Sequence, residues 1–483
     1  MSSSLQDRIR TAFRFHILLR PLRVALYLVV PFVIGNYLAP EEYGAFAATF
    51  AVVTLVEGLC LPGVAPLLIR STTLEMASSL FWLSLSVRLF FCLVFYVLAP
   101  YLSALLSVEN ATPYFRVLSL WFVLEGLKVI PDAILVRRLA YKTRFHIYAL
   151  ADLIGISVLV ILLQRGWGTW ALVGRVFFTS ATVLILSAFA GQWRPQLEIR
   201  SGAMREFFSL NRDVTIVRLT NQYLSSIDSL LIVFLCGSGA AGLFAMTVKF
   251  VYLPLQQILW PAGELLLPIG KAHGDENGDV LTMYFRFTQL SLFVCMPLLI
   301  ALTFMATHLS AVFGASWAEL PPLIVPMSVV GFALCFAPPA SLYVLTRSSD
   351  LDSKLSLFEA IVVTAGIVIG AKAGVHGAIV GMAISVVSVV ALRLRLTFVR
   401  IGTSFSRYWE ALKSVCLANL VLALVLLGQR SLSRALWHSF ALDVVFLTLC
   451  LLLYLASLQY AAPAGTLKRL LVIRLTRQQK VPQ

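Results

Sequence analysis

Fourteen long apolar runs, separated by short polar breaks, constrain this chain more than any other feature of its sequence. A helix needs about 20 mostly apolar residues to cross the ~30 Å hydrocarbon core of a bilayer. Backbone polar groups find no water there, so a helix that satisfies them internally is the expected structure. The runs therefore predict an all-α polytopic membrane protein with about fourteen transmembrane helices.

The predicted spans fall into three groups along the 483 residues. The first six are 16–38, 44–69, 78–105, 113–136, 145–164 and 169–190. The next six are 213–235, 240–268, 280–306, 321–345, 355–371 and 375–398, and the last two are 409–428 and 435–459. The polar linker 191–212 is too short for a soluble domain. It contains GAMREFFSL, which fits a short interfacial helix.

Lysine and arginine predict the orientation of these spans. With the N-terminus inside, the segments on the inner side hold 24 of these residues and the outer loops hold four. Cytoplasmic loops of membrane proteins collect positive charge, so both termini are predicted to be cytoplasmic. Only 13% of the chain is charged, against about 25% in soluble domains. The net charge of +15 thus reflects membrane topology rather than nucleic-acid binding.

One hairpin sequence occurs twice. Gly44-Ala45-Phe46-Ala47 matches Gly242-Leu243-Phe244-Ala245, 198 residues later. The same spacing relates three pairs of arginines, which are Arg14 and Arg212, Arg20 and Arg218, and Arg88 and Arg286. Further along, at a slightly longer spacing, GWGTWALVG from Gly166 matches GVHGAIVG from Gly374. Spans one to six therefore repeat as spans seven to twelve.

The repeat predicts the domain organisation. Residues 1–190 form a six-helix lobe, 191–212 a cytoplasmic linker, 213–400 a second six-helix lobe, and 401–483 two additional helices with a basic cytoplasmic tail. An even number of spans per repeat places both lobes the same way up. Parallel repeats of this kind are typical of transporters whose substrate path runs between the halves.

Basic residues within the apolar runs are candidates for that path. A charge at the bilayer centre costs about 2.5–3.5 kcal/mol, so such residues usually face a cavity or a partner. Guanidinium groups suit phosphate recognition, and a pseudo-symmetric set of them would attract an anion. Lys128, Arg175 and Arg286 lie close enough to span ends to extend to the interface instead. The arginines of the predicted set are Arg20, Arg23, Arg88, Arg218 and Arg286.

Acidic residues accompany these bases at matching depths. Arg23 and Glu57 are equidistant from the turn of the first hairpin, and Asp228 and Lys249 from the turn of the second. One reading is two structural ion pairs, which compensate each other's desolvation. The other is a cation- or proton-sensitive gate, in which Glu57, Asp228 and Glu264 are coupling candidates.

A resemblance to a known family rests on particular segments. The arginine-bearing first span is followed by YLAPEEYGAFAATFAVVTLVEG and then GVAPLLIR. This order resembles the start of bacterial polysaccharide flippases, which belong to the multidrug/oligosaccharidyl-lipid/polysaccharide exporter superfamily. GWGTWALVG resembles the start of their sixth span, and the two additional C-terminal spans resemble those of the lipid II flippase.

The resemblance implies two six-helix lobes that work by alternating access. It implies transfer of an undecaprenyl-pyrophosphate-linked oligosaccharide from the inner to the outer leaflet of the bacterial inner membrane, for surface polysaccharide export. Membrane lipids, a polysaccharide polymerase and export machinery are the implied partners, and a monomer is expected. The residues that match the family's basic lumen are Arg20, Arg23, Arg88, Arg218, Lys249 and Arg286.

Two other functions stay open at this point. A cation-coupled drug or small-molecule antiporter of the same superfamily would depend on acids such as Glu57, Asp228 and Glu264. A non-transporting membrane scaffold is the third possibility. An enzyme is not expected, because the six histidines are scattered and there is no P-loop. The seven cysteines have no metal-binding spacing, so no metal or other cofactor is predicted.

Overall fold

The structure of the chain is a computed structural model that describes residues 27–454 with gaps. The gaps are 28, 61–63, 65–67, 69–75, 107–110, 139, 198–211, 261, 264–265, 267–276, 347, 437–442, 444–445 and 451–452.

Twelve α-helices, and no strand, are present in this part of the chain. They are α1 Pro40–Leu59, α2 Ala77–Leu105, α3 Thr112–Arg137, α4 Tyr141–Gln164, α5 Trp170–Gly191, α6 Arg212–Pro254, α7 Asn277–Phe313, α8 Leu320–Phe336, α9 Ala340–Leu345, α10 Ser349–Gly370, α11 Gly374–Ile401 and α12 Phe405–Leu436. Residues 29–37 are also helical, and a π-helical turn at Leu255–Leu259 continues α6.

Nine helical segments among the described residues are long and apolar enough to cross a membrane. One of them, Asp350–Ile401, contains both α10 and α11. The prediction of an all-α polytopic membrane protein is therefore confirmed. The count of fourteen spans stays a prediction, because much of the first and last predicted spans lies outside the described residues.

Local sequence sets where these helices begin and break. Pro40 opens α1, a position that needs no backbone N–H. The Glu42 carboxylate reaches back to accept the backbone N–H of Ala39 at 3.0 Å, which caps the helix. Gly237 has a φ of 89° and interrupts α6. This left-handed conformation suits glycine, and it falls between predicted spans seven and eight.

The described residues belong to two compact units that do not follow chain order. Unit 1 takes its residues from Met1–Leu253, Leu309–Leu323 and Ser356–Ser385. Unit 2 takes its residues from Pro254–His308, Ile324–Leu355 and Val386–Gln483.

In unit 1, α2 packs on α3, and α5 packs on both α3 and α4. Leu80, Phe81, Ile130 and Ile134 form part of the buried core between α2 and α3. The start of the predicted linker lies against α2, because the Trp82 indole N–H donates to the Gln196 carbonyl at 2.8 Å. The rest of that linker, including the proposed interfacial helix, lies outside the described residues.

Helices α1 and α6 approach each other so closely within unit 1 that only glycine fits. A Cβ built on Gly44 would lie 1.8 Å from the Ser238 carbonyl oxygen, and one built on Gly242 would lie 1.8 Å from the Pro40 carbonyl oxygen. Ordinary C···O contacts are about 3.3–3.6 Å. The two helices thus meet backbone to backbone at Gly44 and Gly242, which are the equivalent glycines of the internal repeat.

The contact continues along α1, and we call it the α1–α6 seam. The Thr54 and Ser226 hydroxyls lie 3.5 Å apart, and a Cβ on Gly58 would lie 2.4 Å from Cγ of Gln222. Beyond the Gly44 end, the buried Trp317 indole N–H donates to the Leu38 carbonyl at 3.1 Å. The seam therefore has tight glycine contacts near both ends and a looser hydroxyl contact between them.

Unit 2 incorporates α12 and the described part of the last predicted span. The Asn419 side chain donates to the Leu292 carbonyl at 3.1 Å. Ile300, Phe304, Leu422, Leu426, Cys450 and Tyr454 form one buried cluster. His308 lies 2.8 Å from an Asp443 oxygen. These contacts fix the additional helices to α7.

Candidate functional site

Arg88, the best-described of the predicted substrate-binding residues, is buried on α2 and bound internally. Its Nε and Nη2 donate to Oε1 of Glu57 on α1, at 3.2 and 2.6 Å. Its Nη1 donates to the Ser84 hydroxyl one turn earlier. Arg88 as a whole residue is 5% exposed, and all three of its guanidinium nitrogens donate to protein atoms. In this conformation its fork is occupied by a carboxylate of the protein itself.

A second charged pair lies within Coulomb range of the first. Lys128 donates to Oε1 of Glu125 at 2.5 Å, and the Ser180 hydroxyl donates to the same oxygen at 3.0 Å. The Trp121 indole N–H donates to Ser180 at 2.8 Å. Together the two pairs connect α1, α2, α3 and α5. Each charge of a buried pair offsets part of the other's desolvation cost, so removal of one partner leaves the other buried and uncompensated.

One oxygen of this network stays unsatisfied. Oε2 of Glu57 is buried and has no hydrogen-bond partner in the described structure. Groups in this state usually have a functional reason or an unobserved partner. Glu57 therefore keeps its predicted candidacy for coupling, although its described partner is Arg88. Its predicted partner, Arg23, lies outside the described residues.

The predicted pairing of Asp228 with Lys249 is not found. Asp228 is buried and accepts the Ser229 backbone N–H at 2.7 Å. Lys249 instead places its Nζ over the Tyr43 ring, 5.6 Å from the ring centroid. Equal distance from a turn fixes depth in the membrane, but it leaves open which side of each helix the residue occupies. Here the two side chains take different neighbours.

Of the remaining predicted site residues, only Arg286 has a described side chain. Arg286 is exposed on α7. Arg20 and Glu264 lie outside the described residues, and α6 includes Arg218 without a described side chain. Of the predicted basic set, the side chains of Arg88, Lys249 and Arg286 are described, and each has its own surroundings.

Two cations, Arg175 and Lys249, lie beside the seam. Arg175, on α5, is within Coulomb range of Tyr43 and Lys249. Asp152 and Tyr27 are also in Coulomb range of Arg175, and the Tyr27 hydroxyl is 3.4 Å from Asp152. The sequence signal for Arg175 is its place within a predicted span, although its closeness to the span end also fits a side chain at the membrane interface.

A cavity of about 670 Å³ is lined on its described side by the helical residues 29–37, through Val29, Phe32, Val33, Asn36 and Tyr37. Phe32 packs edge-on against Phe250, which follows Lys249 in α6. Within the described part of the chain, no group of three or more His, Cys, Asp or Glu side chains could hold a metal ion.

The sequence profile of one family covers much of this chain. The family is described as "Polysaccharide biosynthesis protein", and its profile matches residues 33–322, more than half of the chain. The chain belongs to this family. The matched region runs from the helical residues 29–37 to the start of α8, so it contains the α1–α6 seam and the charged pairs described above.

Curated relatives agree with this assignment. The teichuronic acid biosynthesis protein TuaB of Bacillus subtilis (strain 168) is 23% identical over 359 residues, which cover 73% of this chain and 74% of TuaB. The succinoglycan biosynthesis transport protein ExoT of Rhizobium meliloti (strain 1021) is 25% identical over 311 residues. That match covers 62% of this chain and 61% of ExoT.

Solved structures show the same fold. The lipid II flippase MurJ in an inward closed conformation matches with a TM-score of 0.69 and 13% identity, over 92% of this chain and 99% of MurJ. An inward-facing multidrug resistance MATE family transporter of the MOP superfamily matches with a TM-score of 0.63 and 16% identity, over 78% of this chain and 94% of that one. The family is one of polysaccharide biosynthesis proteins, and the fold is shared with multi-pass membrane transport proteins. These matches give no support to an enzyme.

Proposed function

We propose that this protein transfers an undecaprenyl-pyrophosphate-linked oligosaccharide from the inner to the outer leaflet of the bacterial inner membrane. The transfer proceeds by alternating access and supplies surface polysaccharide export. A polysaccharide polymerase and export machinery take up the product, and the protein acts as a monomer with both termini in the cytoplasm. Family membership and the named relatives supply the polysaccharide context of the proposal.

The observation that carries the proposal is the meeting of Gly44 and Gly242. These residues are equivalent in the two repeats, and their helices touch backbone to backbone. In transporters built from parallel repeats, the substrate path lies where the repeats face each other. At this point the seam brings equivalent residues of the two repeats together, and we infer that the repeats separate here to expose the substrate.

The basic residues of the predicted lumen remain part of the proposal, with different roles. Lys249 beside the seam is the best placed to meet a headgroup. Arg88 would have to exchange Glu57 for a phosphate before it could bind substrate. Because the carboxylate already occupies the guanidinium fork, Glu57 and a phosphate oxygen would compete for the same donors.

A cation-coupled antiporter is the second candidate, and two observations favour it. MATE transporters share the fold. The buried, unpartnered Oε2 of Glu57 is a place where a proton or a monovalent cation would be stabilised. In an antiporter of this kind, the acids would be essential and the arginines would mainly orient them.

Deletion of the gene separates the two candidates. We expect loss of surface polysaccharide, together with accumulation of its lipid-linked oligosaccharide on the cytoplasmic side of the membrane. Restoration by the wild-type gene is the control. Unchanged surface polysaccharide, combined with raised sensitivity to cationic drugs, would favour the antiporter instead.

A further inference from the structure

The segment Leu309–Leu323 connects two helices of unit 2 but packs as part of unit 1. It contains the end of α7, a short turn and the start of α8, and the rest of both helices belongs to unit 2. The turn lies between predicted spans nine and ten, on the predicted outer side of the membrane. We call this segment the strap. Movement of unit 2 relative to unit 1 must either carry the strap away from its neighbours or bend the chain at its ends.

Local sequence shapes the strap into a tight turn that buries one aromatic side chain. Gly314 ends α7 with a φ of 89° and a ψ of 177°, a conformation that is essentially restricted to glycine. A single 3-10 turn, Ala315–Trp317, follows. Trp317 is 0% exposed, whereas the other residues from Gly314 to Glu319 are exposed. The turn therefore lies at the surface of unit 1 and inserts only its tryptophan.

Trp317 binds the short connection between the helical residues 29–37 and α1. Its indole N–H donates to the Leu38 carbonyl oxygen at 3.1 Å. That carbonyl follows the end of a helix, where the last C=O groups have no acceptor role within the helix itself. The indole ring also packs on Tyr43 at a centroid distance of 6.4 Å. One hydrogen bond thus satisfies two buried polar groups, each of which is costly to leave unpaired.

Phe313 anchors the strap on the same helical segment. Its ring packs directly on Gly35, since a Cβ built on Gly35 would lie 2.6 Å from the Phe313 Cγ. The ring also meets Phe32 at a centroid distance of 5.5 Å and Phe250 of α6 at 6.1 Å. Aromatic pairs at such distances stabilise a contact beyond the area that they bury. The strap is therefore held by two aromatic anchors and the indole hydrogen bond.

The first repeat has no aromatic residue at the position of Trp317. Thr112-Pro113 opens α3 and Leu320-Pro321 opens α8, at the same spacing that relates Gly166 to Gly374. At this spacing the turn GASWAE, which contains Trp317, corresponds to LSVENA in the first repeat. A turn of equal length without an aromatic residue therefore connects the equivalent helices, so the repeated fold does not itself require Trp317.

We propose that the strap is a releasable latch on the outer side of the protein. While Trp317 donates to Leu38, the ends of α7 and α8 stay on the helical residues 29–37, and release of Trp317 frees them. The substrate can leave toward the outer side only after this release. Gly314 suits the movement, because glycine gives the backbone conformational freedom directly after α7. The latch rests on the proposed function for what passes through the protein, and it adds a step that the seam does not supply.

Thiol labelling of the purified full-length protein tests the latch without any substrate. The reporter is Ile34→Cys in a background without native cysteines, because Ile34 is 0% exposed and lies one turn before Leu38 on the same helix face. Trp317→Phe keeps a ring but removes the donor. A membrane-impermeant reagent should then label the reporter about five- to 150-fold faster, the equilibrium change for one buried acceptor left unpaired. Trp317→Ala should increase the rate further, whereas Trp167→Phe, at an exposed tryptophan, is the matched control and should not change it.

A cross-link distinguishes a latch from a contact that only stabilises the fold. Gly35→Cys with Phe313→Cys joins the strap to its neighbour, because the new Cβ would lie 2.6 Å from the Phe313 Cγ, which is one bond from the Phe313 Cβ. In vesicles, this disulfide should stop the transfer of an oligosaccharide on a prenyl pyrophosphate, and reduction should restore it. Gly155→Cys with Thr179→Cys is the cross-linked control, since a Cβ on Gly155 would lie 3.4 Å from the Thr179 Cβ. The control disulfide should leave transfer intact.

Two results would overturn the latch. One is unchanged labelling of Ile34→Cys in both Trp317 variants, and the other is transfer that continues with the strap cross-linked. If a melting curve shows that Trp317→Ala does not fold, Trp317→Phe and the disulfide still provide the test. If the Trp317 variants label faster but the reduced protein moves no lipid-linked oligosaccharide, release of the strap stands and the proposed function fails. If the cross-linked and reduced proteins move the lipid equally well, the proposed function stands and the latch fails.

Discussion

Replacement of Gly44 by alanine should open the α1–α6 seam. The added Cβ would lie 1.8 Å from the Ser238 carbonyl oxygen and 2.7 Å from the Gly242 backbone nitrogen. Both obstacles are backbone atoms, which cannot rotate away as a side chain can. To restore a C···O distance of about 3.3 Å, the helices must separate by roughly 1.5 Å at this point. Gly44→Ala thus tests whether the closed seam depends on the absence of a side chain.

The size of the effect follows from that separation. A gap of 0.5–1 Å already removes about a quarter to a half of the dispersion energy of the atoms concerned. Added methyl groups in well-packed positions cost roughly 1–3 kcal/mol. Since about 1.4 kcal/mol is a factor of ten, the closed seam should lose about five- to 150-fold in population relative to an opened one. The same reasoning applies to Gly242→Ala, whose Cβ would meet the Pro40 carbonyl at 1.8 Å.

Two assays measure the effect of Gly44→Ala on the seam. Melting of the purified protein should shift to lower temperature in Gly44→Ala. In a background without native cysteines, Phe250→Cys reports on opening, because Phe250 is buried two turns after Gly242. A membrane-impermeant thiol reagent should label this cysteine faster when Gly44→Ala is also present.

Gly428→Ala is the matched control for this experiment. Gly428 lies in α12, and a Cβ there would meet nothing within 4 Å. Alanine at an open helical position is expected to be neutral or to stabilise the helix by up to about 1 kcal/mol. If Gly44→Ala behaves like Gly428→Ala in both melting and labelling, the seam is not closed by its glycines and the reasoning fails.

Three further predictions concern other parts of the molecule. Arg88→Ala should destabilise the protein by up to about 3–5 kcal/mol, because it leaves the Glu57 carboxylate buried alone. The double variant Arg88→Ala with Glu57→Ala should have a higher melting temperature than Arg88→Ala. Equal melting temperatures would mean that the two residues do not stabilise each other. Glu41→Cys should react with an impermeant reagent from outside intact cells and Arg138→Cys should not; labelling of Arg138→Cys would reverse the predicted topology. Trp317→Phe should cost about 1–3 kcal/mol in thermal stability by leaving a carbonyl without its donor, and an unchanged melting curve would contradict that bond.

Helix positions can be predicted from the sequence because two requirements apply to each segment by itself. The segment must be long enough to cross the hydrocarbon core, and its backbone groups must form their hydrogen bonds within the helix. Predicted spans 78–105 and 113–136 correspond to α2, Ala77–Leu105, and α3, Thr112–Arg137. Predicted span 321–345 is different, because the structure ends α8 at Phe336 and starts α9 at Ala340. The intervening Pro338 and Pro339 explain the break, since proline lacks the backbone N–H that a continuous helix needs there.

Charge partners do not follow from the sequence in the same way, because they depend on which face of a helix each residue occupies. Asp228 and Lys249 have matching depth but different neighbours, whereas Arg88 and Glu57 pair although the turn argument matched Glu57 with Arg23. The internal repeat is the more informative signal. It identifies Gly44 and Gly242 as equivalent, but only the three-dimensional packing shows that their helices touch.

We propose that this protein flips a lipid-linked oligosaccharide by opening the α1–α6 seam. The most direct test uses vesicles that contain the purified protein and a fluorescent oligosaccharide on a prenyl pyrophosphate, with a reagent that quenches only the outer leaflet. The protein carries Glu41→Cys and Gly239→Cys, since a Cβ on Gly239 would lie 3.5 Å from the Glu41 Cγ, close to disulfide geometry. Gly155→Cys with Thr179→Cys, which joins α4 to α5, is the cross-linked control.

We expect rapid exchange of the lipid between leaflets in the reduced protein. Exchange should be lost when the disulfide between positions 41 and 239 forms, and it should recover on reduction. The control disulfide should leave exchange intact. No protein-dependent exchange in the reduced state, or equal exchange with the seam cross-linked, would contradict this proposal.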